Sequence, residues 1–215
     1  MVTSAKTPLR LFVLGATGGV GRSLLDRALD RGHQITAFVR SPEKSGAPRQ
    51  GLTVRGGDPR GAAELEVAPP GHDTVLSAIG PPGPGRSMIV TQCARSTVAA
   101  MQAAGVRRLL IVSAAVLFKD EGILFAMLRR TLLRNVAEDQ TEMERVVTAS
   151  ALDWTIVRPP RLTNGPLTEH YQIEDNRMPR PRLSVSRSDV AHFLLDEAER
   201  GAHRRQMVGM AGSRT

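Results

Sequence analysis

The chain changes texture at residue 15. Four apolar residues, Leu11 to Leu14, run directly into Gly15-Ala16-Thr17-Gly18-Gly19-Val20-Gly21. Beyond that loop Val20, Leu24, Leu25, Ala28 and Leu29 fall on one face of a helix. An apolar run, a turn bare of side chains and an amphipathic helix, in that order, predict a buried strand feeding a helix through a tight loop. Gly32 stops that helix, and Gln34–Val39 reads as a second strand. Further strands are expected at Leu52–Arg55, Asp73–Ile79, Arg108–Ser113, Thr155–Arg158 and Gln206–Met210. Val90, Cys93, Ala94, Thr97, Val98 and Met101 have helical spacing up to Gly105, PPGPGRS at 81–87 suits only a loop, and Ser186–Glu199 reads as a late helix. Strands separated by helices of this length require parallel crossovers. The expectation is an α/β fold, a doubly wound parallel sheet in a single domain over 1–215. A small substrate-side cap is expected from about 116–150 and 162–183, with Gly122–Ser150 long enough for two helices.

The glycine spacing, GxxGxxG between strand and helix, has a specific physical use. Gly15 allows a sharp turn off the strand, Gly18 lets backbone N–H groups approach a pyrophosphate, and Gly21 allows close helix packing. The helix N-terminus then faces the anion. Gly15, Ala16, Thr17, Gly18, Gly19, Val20 and Gly21 are therefore candidate dinucleotide-binding residues. An NAD site would carry an acid at the end of the second strand, to accept from the ribose 2′-hydroxyl. Here Arg40, Ser41 and Lys44 stand at that strand end, and the only acid, Glu43, comes three residues late. Arg40 can fork onto a 2′-phosphate and Ser41 can donate to it, so the expected cofactor is NADP(H). Asp58, after the third strand, is a candidate acceptor for the adenine amino group. Ala78, Ile79 and Gly80, ending the fourth, leave room for adenine and ribose, and Arg86 could reach the pyrophosphate.

Composition narrows the classes. Cys93 is the sole cysteine, which excludes an internal disulfide and a cysteine-based metal cluster, and no metal site is expected. The four apolar residues after MVTSAKTPLR are too few for a signal-peptide core or a membrane span, so a cytoplasmic setting with no membrane partner is expected. The net charge of +8 is carried by scattered arginines, with 3% aromatic residues. A nucleic-acid surface clusters its charge and adds stacking rings. The reading is a solvated basic surface, with no nucleic-acid partner.

At this point the chain resembles a known group, the atypical short-chain dehydrogenases/reductases with a NAD(P)-binding Rossmann fold. Within it the likeness is nearest to the biliverdin-IXβ reductase/flavin reductase type. It rests on GATGGVG, on FVR followed by a basic-polar stretch, on GGD at 56–58, and on VAAMQAAGVRRLLIVSAA at 98–115. It continues through ALDWTIVRPPRLTNGPLT at 151–168 and SVSRSDVAHFLL at 184–195. The resemblance implies hydride transfer from NADPH to a flat, conjugated acceptor. It implies that Ser113 lies near the nicotinamide as the catalytic and cofactor-contacting serine, and that Pro159 and Pro160 line the nicotinamide pocket. Arg161 stands where these reductases carry a histidine; a guanidinium cannot donate a proton near neutral pH but can bind an anionic group on the substrate. Phe118, Phe125, Met127 and Leu128 are candidates for the acceptor pocket, Phe118 first among them.

The usual acid of short-chain reductases, a tyrosine four residues before a lysine, is missing: the sole tyrosine is Tyr171, and residue 175 is Asp. Flavins and bilins tolerate this, because their reduced products take a proton from solvent and positioning carries the catalysis. A ketone needs a donor for the developing alkoxide, and Ser113 is the one candidate. His170 is placed in the cap facing substrate, His192 beside Phe193 as packing, and Asp139 and Glu142 at the opening of a helix. Two alternatives stand beside the reductase: from another class, a non-enzymatic NADP(H)-sensing regulator of NmrA type, and, on the same scaffold, a biosynthetic ketoreductase or isomerase. The oligomeric state stays open.

Overall fold

The computed structural model describes residues 7–66, 70–83, 85–118, 127, 130, 131, 133–179 and 184–212. Its centre is an eight-stranded sheet in the order β3-β2-β1-β4-β5-β6-β10-β8. The strands are β1 (Arg10–Leu14), β2 (Gln34–Val39), β3 (Leu52–Gly56), β4 (Thr74–Ser77), β5 (Arg108–Val112), β6 (Asp153–Arg158), β8 (Tyr171–Asp175) and β10 (Gln206–Gly212). All neighbours are parallel except β8, which runs antiparallel to β10 along the far edge. A second, two-stranded ribbon pairs β7 (Arg161–Thr163) with β9 (Ser184–Ser186).

Alternation along the buried strands divides the core. From β1, Leu11 and Val13 join one cluster, while Phe12 and Leu14 join the other. The first cluster takes Val20, Leu24, Leu25 and Ala28 from α1 (Gly19–Asp30) and Val190, Ala191, Leu194 and Leu195 from α5 (Arg187–Arg200). Each leucine buried this way contributes about 1.5–3 kcal/mol. The second takes Val90, Ala94, Val98 and Met101 from α3 (Ile89–Ala103) and Met143 and Val147 from α4 (Arg134–Thr148). A short α2 (Ala62–Glu66) leans on α3. Helices thus cover both faces, as a sheet of near-continuous apolar runs requires.

The expected strands stand where the apolar runs placed them, with ends shifted by one or two residues. The antiparallel edge strand and the β7–β9 ribbon were not anticipated, because neither carries an apolar run of its own. The expected cap is corrected in one part. Within 116–150, α4 packs on α3 and the sheet, because Met143 and Val147 join the core, while Ala137 packs on Val116 and Leu117. Of the two helices expected within Gly122–Ser150, α4 is one; residues 119–126, 128, 129 and 132, on which the other would depend, lie outside the described residues.

Candidate functional site

Strand order reverses between β1 and β4, and the glycine loop leaves β1 at that reversal, where open α/β sheets bind their ligands. Gly15 has φ of +75°, and a Cβ there would sit 2.6 Å from the Ala78 carbonyl carbon. Only glycine suits a left-handed turn pressed against a neighbouring backbone. A Cβ at Gly21 would collide with the Gly15 carbonyl, so the first turn of α1 can close on the loop only without a side chain. Gly18, extended and exposed, is the N-cap; Gly19 opens the helix, and Val20 and Gly21 turn into the core. No acid stands in the first turn, leaving the helix N-terminus to an external anion.

A cavity of about 200 Å³ opens against this loop. Gly15, Ala16, Thr17 and Gly18 form one wall, and Ala78, Ile79 and Gly80 at the end of β4 form another. Phe38, Val39 and Arg40, ending β2, and Asp58, Pro59 and Arg60, following β3, close it. Ile89 and Cys93 of α3 line its apolar end, and burial pushes the Cys93 thiol up to about 11. The loop, the small residues of β4 and the cation beside β2 suit the adenosine half of a dinucleotide in shape and charge. Arg60 is a wall residue the sequence reading missed. Its guanidinium donates to both Asp58 carboxylate oxygens, at 2.9 and 3.0 Å from Nε and 2.5 Å from Nη2. Its backbone N–H also donates to Asp58, at 3.0 Å, and these bonds hold the Asp58 carboxyl down to about 2. Asp58 is therefore an anion in the cavity, with lone pairs to offer a base amino group, but one already aimed by Arg60. The only signal for this was Arg60 itself, two residues after the aspartate.

On the other side of the glycine loop lies a second cavity of about 280 Å³, which shares Ala16 and Thr17 with the first. Its lining is cationic: Arg22, Lys44 and Arg49 against Asp26, which accepts from Arg49 at 2.5 Å. The Ser45 hydroxyl is buried there without a partner. Arg40 and Lys44 are thus divided between the two cavities, while Ser41 caps the 3-10 turn Pro42–Lys44 between them.

Ser113 follows β5, and its backbone N–H donates to Val157 of β6 at 2.7 Å. Pro159 is buried and accepts from the Ala115 N–H at 2.9 Å, and Pro160 is half-buried beside it. The Ser113 hydroxyl donates to Glu144 Oε1 of α4 at 2.6 Å. Arg158 forks onto the same carboxylate, from Nε at 2.9 Å and Nη2 at 2.5 Å. This corrects the expected role of Ser113 as donor to an alkoxide: its one proton is given to a buried, ion-paired carboxylate, and it offers only lone pairs to a ligand. Phe118 is corrected as well. It is buried with Ala115 and Met178, the Arg158 guanidinium lies 4.7 Å from its ring centroid, and it lines neither cavity at the glycine loop. Arg161 is exposed at the start of β7. Glu144 and Arg158 had no visible signal, since their meeting depends on how α4 lies across the ends of β5 and β6.

The remaining candidates divide plainly. Arg86 is exposed and outside the lining of the cavity. The Tyr171 hydroxyl bonds His192 Nδ1 at 2.9 Å, which gives His192 a polar partner beyond packing. The backbone N–H of His170 donates to Thr168 Oγ1 at 3.1 Å. Asp139 and Glu142 lie in the middle of α4, not at its start; Asp139 serves another helix, accepting from the Val90 and Thr91 N–H groups of α3 at 3.2 and 2.9 Å. Phe125 and Leu128 lie outside the described residues, and Met127 is exposed. Among the described residues no group of His, Cys, Asp and Glu could hold a metal, and no helix is long and apolar enough to cross a membrane.

Comparison with known proteins agrees with this geometry. A family model described as NAD(P)H-binding matches residues 15–200. The uncharacterized protein YwnB of Bacillus subtilis is 25% identical over 209 residues, covering 92% of this chain and 96% of its own. A short-chain dehydrogenase/reductase of Veillonella parvula, solved in complex with NADP, superposes with a TM-score of 0.81 at 22% identity over 96% of this chain and 95% of that one. The oxidoreductase YlbE of Lactococcus lactis gives 0.81 at 22% identity, over 96% and 92%. These two structures share the fold.

Proposed function

The chain belongs to the NAD(P)H-binding family, and from that premise we propose that it is an NADPH-dependent reductase delivering hydride to a flat, conjugated acceptor of flavin, bilin or quinone type. The observation that carries this reading is the fate of the Ser113 proton. Ser113 donates to Glu144, Glu144 is paired with Arg158, and the sole tyrosine is held by His192. No described side chain near β5 is left to protonate a localised alkoxide, which disfavours a ketone substrate. A conjugated acceptor spreads the charge that hydride brings and takes its proton from solvent. The work left to the protein is alignment, for which rigid strand ends are suited.

NADPH rather than NADH is supported by Arg40 in place of a strand-end acid and by the cationic cavity of Arg22, Lys44 and Arg49 beyond the glycine loop. Ser41 and Lys44 would hold the 2′-phosphate with Arg40. Asp58, Ala78, Ile79 and Gly80 would receive the adenosine, and Ser113, Pro159 and Pro160 the nicotinamide. Arg161, exposed beside Pro160, suits an acceptor bearing a carboxylate or phosphate. The partner is a small molecule, without nucleic acid or membrane, in a cytoplasmic setting. The missing acid favours one second reading, a regulator that binds NADP(H) without turning it over.

Steady-state NADPH oxidation with FMN, FAD, biliverdin and quinones separates the two. Oxidation with at least one of them is expected. Tight NADPH binding with no oxidation by any acceptor would sink the reductase and leave the regulator. In binding assays Arg40→Ala should weaken NADPH about tenfold or more and leave NADH unchanged, as loss of a forked phosphate contact does. Equal NADH and NADPH affinity in the wild type would overturn the cofactor preference.

A further inference from the structure

Arg187 is placed against the usual electrostatic preferences. It is the first residue of α5, where the helix dipole disfavours a cation. Among the described residues its guanidinium meets only neutral acceptors. Nη1 donates to Asn164 Oδ1 at 2.7 Å and to the Leu162 carbonyl at 3.4 Å. The acid two residues on, Asp189, spends its carboxylate on Ser186, Thr168 and the Glu169 N–H. The Arg187 side chain then crosses to a different helix. A Cβ at Gly19 would run into Arg187 Cδ and lie 2.8 Å from Nε, so the bare first turn of α1 is what admits it.

A guanidinium with no counter-charge among the described residues thus rests on a helix N-terminus, itself a locus of partial positive charge. Holding like charges together costs free energy that a bound anion would relieve, and the glycine loop is built to receive one. We propose that Arg187 is a cofactor-binding residue, donating to the pyrophosphate of the dinucleotide at the glycine loop. Through Asn164 and Leu162 it also ties the segment after Arg161 to the loaded cofactor. The inference rests on the dinucleotide reading of the loop, and a side chain at Gly19 would push Arg187 off it.

The test compares two probes, NADP⁺ and adenosine 2′-monophosphate, which lacks any 5′-phosphate. Calorimetric binding of each is measured to wild type, Arg187→Gln and Arg187→Lys. Arg187→Gln should weaken NADP⁺ about tenfold, the worth of one charge-assisted bond. Adenosine 2′-monophosphate should stay within about twofold, and that retained binding shows the variant is folded. Arg187→Lys, which keeps the charge without the fork, should fall between the two. Unchanged NADP⁺ affinity in Arg187→Gln overturns the proposal, and so does an equal loss for both probes, which marks a structural role. If the wild type binds neither probe, the dinucleotide reading itself has failed and Arg187 falls with it.

Discussion

At the scale of residues, Ser113 teaches most. Its position at the end of β5 was legible in the sequence, but its chemistry was not, because a hydroxyl takes its direction from its neighbours. A serine beside a carboxylate is a donor to that carboxylate and an acceptor to everything else. The carboxylate is supplied by Glu144, 31 residues away, and fixed by Arg158. A consequence for kinetics follows. Removing a general acid costs about a hundredfold to ten-thousandfold in rate. Ser113→Ala should cost no more than about tenfold in kcat for a conjugated acceptor, since the bond lost is to Glu144, which Arg158 still pairs. A loss of a thousandfold or more would show that Ser113 does deliver the proton, and the conjugated-acceptor reading would fall. Asp58 follows the same pattern: the residue was visible, and the arginine that aims it was not singled out.

At the scale of elements, most of the sheet could be read from apolar runs, because a strand buried on both faces must be apolar throughout. What could not be read is how elements serve each other across the fold. At the N-terminus of α3 Met88, in the capping position, makes no side-chain bond, and locally only Ser87 Oγ accepts, from the Ile89 N–H at 3.2 Å. Asp139 reaches over from α4 and accepts from the Val90 and Thr91 N–H groups and from the Thr91 hydroxyl, at 3.2, 2.9 and 2.7 Å. A helix cap supplied from 48 residues away leaves no local signature. Asp139 is 1% exposed, so its removal strands donors that water cannot reach. Asp139→Ala is expected to lower unfolding free energy by about 2–3 kcal/mol, and Asp139→Asn, which keeps one acceptor, by about half of that. Urea titrations with unchanged slope would show it; an alanine variant as stable as wild type would mean the cap is redundant. The β7–β9 ribbon escaped prediction for a related reason, being two three-residue strands without a hydrophobic pattern of their own.

At the scale of the whole molecule, the last strand pair closes the sheet and holds the sole tyrosine. Tyr171 begins β8 and bonds His192 of α5, and burial first, with Asp196 and Asp189 second, pushes its phenol up to about 12. The folded state therefore keeps a proton that the unfolded chain releases near pH 10. Stability from this group is intact below about pH 10 and is lost as pH rises through about 12. With one tyrosine in the chain, phenolate absorbance reads this directly. The native midpoint should lie near 12 or coincide with alkaline unfolding, and the urea-unfolded midpoint near 10; a native midpoint near 10 would refute the burial. The glycine loop has a different consequence at this scale. Because Ala16 and Thr17 belong to both cavities, the loop stands between a chamber of mixed lining, apolar at Ile89 and Cys93 and charged at Arg40, Asp58 and Arg60, and a chamber lined by Arg22, Lys44 and Arg49. A synthetic ligand with a planar arm for the first chamber and a phosphonate arm for the second would straddle the loop. It would gain affinity from the joining itself, and would discriminate against dinucleotide enzymes whose outer chamber carries no such charge.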